Sequence, residues 1–153
     1  MKGISEVVAM LLMLVITIGL VGTVWYFLSG TTKRGNFQII DVVCNAGNPA
    51  TVRIVASYTG ADATPGDITV RVRNKLTGTW TTASSTIYKG TNCNRDTIGA
   101  AGCNTQATAT APVTSGETVG ISSSAGNIGI GTPIDVQILV FGQPSGLASV
   151  TCY

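Results

Sequence analysis

VVAMLLMLVITIGLVGTVWYFL occupies residues 7–28 without one charged side chain. At roughly 1.5 Å per residue it makes about 33 Å of helix, against a hydrocarbon core about 30 Å thick. It is apolar on every face, so it is not a surface amphipathic helix. Only Thr17, Gly19, Gly22 and Thr23 interrupt it. A threonine hydroxyl can bond back to its own helix, and a glycine lets another helix come close. Trp25 and Tyr26 stand at the far end, where an interfacial aromatic belt would lie, and Ser29-Gly30-Thr31-Thr32 breaks the run.

Residues on either side narrow what such a helix is for. A cleaved secretory signal has an apolar region of about 7–15 residues followed by a small-residue cleavage site. This run is longer, and no such site follows it. A lipoprotein signal needs a cysteine directly after the run, but the first cysteine is Cys44. A plain membrane anchor suits the length, yet it leaves the opening Met1-Lys2-Gly3-Ile4-Ser5-Glu6 unexplained. Lys33-Arg34 on one side and Lys2 on the other nearly balance, so the positive-inside rule does not orient the helix.

A basic residue, a small residue and then an apolar stretch is the order found in class III signal peptides. The string KGISEVVAMLLMLVITIGLVGTVWYFLSGTT, residues 2–32, resembles the N-terminal domain of archaeal type IV pilins and archaellins along its whole length. The resemblance implies that residues 1–3 are a leader and that a prepilin peptidase cuts between Gly3 and Ile4. The helix, residues 4–33, is then kept: a membrane anchor before assembly and the filament core after it. The resemblance also implies an assembly ATPase, a membrane platform protein and copies of the same chain in a helical filament as partners. Cutting there exposes a new amine at Ile4, with Ser5 as an N-cap and Glu6 in the first turn, where the helix dipole favours a carboxylate. Glu6 resembles the glutamate that bacterial pilins pair with a neighbouring subunit's amine, although it stands third after the cut rather than fifth. Capping its own helix is the alternative role.

The head, residues 34–153, reads as all-β. Residues 67–73 alternate cleanly, with Ile68, Val70 and Val72 on one face and Thr69, Arg71 and Arg73 on the other. Residues 51–59 place Val52, Ile54 and Tyr58 at even positions, and 37–43 and 133–141 are strong strand candidates. Residues 79–88 are Thr-rich and read as an outer or edge strand, 105–111 and 117–122 are weaker, and 147–152 close the chain. Turn signals fall at 46–49, 64–67, 77–78, 126–127 and 143–146. Six to eight short strands at this spacing predict a β-sandwich of Ig-like kind. The fold class is therefore α+β: a long hydrophobic N-terminal helix followed by an all-β head.

Four cysteines, Cys44, Cys93, Cys103 and Cys152, stand in a chain with an export-type beginning. Two disulfides are expected, free buried thiols being the alternative. Cys93 and Cys103 bracket a compact loop, while Cys44 and Cys152 nearly end the first and last strands. That pairing is one of three possible. Zinc is disfavoured, because there is no C-x-x-C pair and no histidine.

Nothing in the sequence suggests catalysis, a cofactor or a metal centre. Without histidine there is no Ser-His-Asp or Cys-His arrangement. Gly126-Asn127-Ile128-Gly129-Ile130-Gly131 lacks the spacing of a dinucleotide loop. Asp62 and Asp67 flank a turn, where aspartate ordinarily shapes the backbone rather than binding a cation. Net charge is only +2, with charged residues at 10%, so nucleic acid is not an expected partner. Trp80 and Tyr88 are a candidate sugar-stacking pair, with core packing as the alternative. The expectation is a pilin, not an enzyme, that polymerises into an extracellular filament at the cell surface and serves adhesion. An archaellum subunit for motility and a single-pass anchored extracellular binding domain are the alternatives.

Overall fold

The computed structural model describes residues 2–30 and 33–153; Met1 of the expected leader and the boundary pair Thr31-Thr32 lie outside the described residues. The chain forms two units, Met1–Lys33 and Arg34–Tyr153.

The first unit is a single helix, α1, Lys2–Gly30. Its stretch Gly3–Leu28 is long and apolar enough to cross a membrane. No proline interrupts it, and its two mid-run hydroxyls are satisfied within the helix. Thr17 Oγ1 donates to the Met13 carbonyl at 2.7 Å and Thr23 Oγ1 to the Leu20 carbonyl at 2.9 Å. Both therefore sit in an apolar stretch without an open donor.

The second unit is an antiparallel β-sandwich of eight strands: β1 (Gly35–Asn45), β2 (Ala50–Gly60), β3 (Ile68–Asn74), β4 (Trp80–Lys89), β5 (Thr105–Gln106), β6 (Thr118–Ala125), β7 (Pro133–Val140) and β8 (Gln143–Thr151). The architecture is thus α+β, a long apolar helix and an all-β head. One layer runs β1-β2-β6-β4, with the short β5 added to β4; the other runs β4-β3-β7-β8. β4 belongs to both. Its first residues, from Trp80 to Ala83, pair with β3, and those from Ser84 to Lys89 pair with β6. The Thr-rich segment expected at an edge is instead the junction of the two layers.

Alternation fills the space between the layers. Val52, Ile54, Ala56 and Tyr58 of β2 face Ile134, Val136, Ile138 and Val140 of β7 within one buried cluster, joined by Ile68, Val70 and Val72 of β3. Phe37 and Tyr58 pack with ring centroids 4.7 Å apart and planes tilted by 42°, a geometry aromatic quadrupoles favour. The Tyr58 hydroxyl donates to the Ala61 carbonyl. Gly35 lies directly over that ring: a Cβ there would come within 2.7 Å of Tyr58 Cε2.

A second departure concerns residues 143–146, expected as a turn. They begin β8, and the real turn is Phe141-Gly142, both at positive φ (51° and 75°). That is the backbone a two-residue hairpin requires. Pro144 is tolerated because β8 is an edge strand and its ladder with β7 shifts register between Ile138 and Leu139.

Candidate functional site

The helix carries the residues expected to govern processing and assembly. Gly3, Ile4, Ser5 and Glu6 all lie within α1, so the bond from Gly3 to Ile4 is helical and Ser5 is inside the helix in the uncut chain. From 3 to 28 every side chain is exposed. A Cβ built on Gly3, Gly19 or Gly22 meets nothing within 4 Å. Gly19 and Gly22 are three residues apart and share a face, leaving a shallow place where another backbone can approach.

In the head, two disulfides organise one side of the sandwich. Cys44 bonds Cys152 and Cys93 bonds Cys103, with Cα separations of 4.6 and 4.8 Å. The first joins β1 to the end of β8. Backbone hydrogen bonds flank it, from Ala46 N to the Tyr153 carbonyl at 2.9 Å and from Tyr153 N to the Cys44 carbonyl at 3.2 Å. The second closes a loop that lies as a strap across the outer face of β2 and β6. Ile98 and Cys103 of the strap are buried, as is Val55 beneath it. The strap sits so close that a Cβ on Gly120 would come 2.6 Å from Ile98 Cγ1 and 3.0 Å from Cys103 Sγ. Inside the strap, Asn94 shapes a turn by accepting from the amides of Asp96 (2.9 Å) and Thr97 (3.1 Å).

The other residues singled out from the sequence have structural partners. Trp80 is covered by the Arg73 guanidinium, 4.7 Å from the ring centroid. Arg73 in turn binds Asp135 at 2.5 Å. Tyr88 lies beneath the strap at Gly99. Eight residues of strand, about 26 Å, separate the two aromatics, so they do not form one platform. Asp67 is occupied in the turn before β3, accepting from the amide and hydroxyl of Thr64 at 2.9 and 2.8 Å. Among the described residues no group of three His, Cys, Asp or Glu side chains gathers as metal ligands do.

Sequence reasoning missed the strap. The cysteine spacing announced the loop but not its seat on the sheet; the signal for that was Gly90 and Gly120, which permit close approach.

The chain matches no family model and no curated protein. Among solved structures it is similar to the archaellum periplasmic stator protein FlaG from Sulfolobus acidocaldarius. Sequence identity is 11%, the match covers 76% of this chain and 100% of that one, and the TM-score is 0.49. So slight a likeness carries no argument about what this chain does.

Proposed function

We propose that this protein is the structural subunit of an extracellular filament of the archaeal type IV pilus kind, polymerising through α1 after residues 1–3 are removed, and serving surface adhesion. The observation that carries this reading is a helix exposed along residues 3–28 and apolar around its whole circumference along 7–28. Transfer of one large apolar side chain out of water is worth about 1.5–3 kcal/mol, so such a helix must be covered everywhere. Lipid covers it in the precursor and neighbouring α1 helices cover it in the filament. Lipid offers no hydrophobic drive for association, so extraction needs work from an ATPase acting through a membrane platform protein. The β-sandwich, held by two disulfides, suits an oxidising exterior.

Mass spectrometry of material sheared from cells, together with electron microscopy, tests the reading. A filament whose subunits begin at Ile4 is expected, and replacing Gly3 with Phe is expected to abolish both cleavage and filaments. Protein confined to washed membranes with residues 1–3 intact would instead make it an anchored single-pass domain. Filaments whose loss abolishes swimming but not attachment would move the reading from adhesion to motility.

A further inference from the structure

A polar cleft of about 240 Å³ opens on the outer face of β1 and β2, lined by Val43, Asn45, Arg53, Arg95, Asp96 and Tyr153. Both disulfides set its walls. Cys44 lies between Val43 and Asn45, Cys152 precedes Tyr153, and the Cys93–Cys103 strap brings Arg95 and Asp96 over the sheet.

Its two guanidiniums are poorly matched with carboxylates. Arg53, half-buried between Val43 of β1 and Ser122 of β6, donates to the Arg95 carbonyl at 3.4 Å. Among the described residues it has no carboxylate within salt-bridge distance. Arg95 Nε is 4.0 Å from both Asp41 and Asp96, in solvent-exposed pairs that contribute little. Arg73 is the contrast: it holds Asp135 at 2.5 Å and stacks on Trp80. A guanidinium presents a planar fork of donors that matches a carboxylate.

We infer that this cleft binds a hexuronic-acid residue of a glycan. The sugar carboxylate meets Arg53 and Arg95, Asn45 and Asp96 bond its hydroxyls, and the ring's apolar face lies against Tyr153, a residue 68% exposed beside the cleft. Asp96 supplies an acceptor that a neutral hydroxyl satisfies and that repels a compact, highly charged ion. The volume lies below the roughly 300–1,000 Å³ of drug-sized sites and suits one sugar ring. This site lies wholly in the head and stands whether or not the chain polymerises.

The test is calorimetric titration of the full chain in detergent micelles with methyl β-D-glucuronide, methyl β-D-glucoside and inorganic phosphate. Saturable binding of the glucuronide is expected, with the glucoside weaker by about tenfold or more, as loss of a charged hydrogen bond implies. Arg53→Gln should weaken the glucuronide about as much without moving the melting temperature, and Tyr153→Ala should weaken it less. Absence of glucuronide binding, an equal affinity for the glucoside, an equal affinity for phosphate, or an Arg53→Gln protein that folds and binds normally would each overturn the inference.

Discussion

Cys44 of β1 and Cys152, one residue past β8, join two strands that share no ladder, beside two backbone hydrogen bonds at Tyr153. β1 and β8 lie side by side at the open flank of the sandwich, where the strand order does not close, and the bond between these residues spans 108 positions of sequence. The Cys93–Cys103 bridge spans only 10. On the chain-entropy account the longer loop contributes about 5 kcal/mol and the shorter about 3. Replacing Cys44 and Cys152 together by Ser should therefore lower the stability of the head more than replacing Cys93 and Cys103. Denaturant unfolding followed by circular dichroism measures both, and the reverse ranking would refute the entropic argument.

Asp135 makes the head acid-sensitive in a defined range. Its side chain is 6% exposed and its carboxylate is held at about 2, below the ordinary 3.8, first by the Ser149 hydroxyl at 2.5 Å, then by Arg73, with Lys75 adding to them and burial opposing. The folded protein thus favours the ionised form more than the unfolded chain does. The resulting stability is complete above the ordinary value and is lost as pH falls from there through about 2. Melting temperatures measured from neutral pH downward should fall in that window. Asp135→Asn should flatten the fall and lower the melting temperature at neutral pH, where Arg73 and Lys75 lose their counter-ion.

Ser123 is the reverse case, a polar group the fold does not use. It is 1% exposed on the inward face of β6, and its hydroxyl has no hydrogen-bond partner among the described residues. An unsatisfied buried hydroxyl costs about 1–3 kcal/mol. Ser123→Ala should raise stability by about 1 kcal/mol, read as a higher denaturant midpoint with an unchanged slope.

Gly120 tests the seating of the strap. Alanine there would drive a Cβ into Ile98 and Cys103. The expected cost is about 1–3 kcal/mol, as for other overpacked sites. Faster proteolysis within the 93–103 loop should accompany it, and a loop as resistant as in the unaltered protein would mean that the strap is seated elsewhere.

Where one period dominates, the sequence is readable. Ile68, Val70 and Val72 alternate into the core, and residues 7–28 declare a helix by length and apolarity alone. What was not legible depended on neighbours distant in sequence. WTTASSTIYK looks like a solvated edge because few of its residues are large and apolar, yet its two halves find β3 and β6 as partners. Gln143-Pro144-Ser145-Gly146 carries the composition of a turn, but Phe141 accepts a positive φ that local rules reserve for Gly or Asn, and the chain reverses there instead. The cleft was invisible for the same reason: two bridges and a strap assemble it from residues 43 to 153.

The bond between Cys44 and Cys152 also makes most of the head a covalent loop. Only the residues from Gly35 to Val43 lie between the start of β1 and that loop. A tug that reaches the head through Gly35 can unravel those residues and no others before it meets sulfur. They are already extended strand, and fully drawn out they span no more than about 30 Å. A subunit built this way behaves under tension as a short tether stitched to a closed ring, and it cannot spool out.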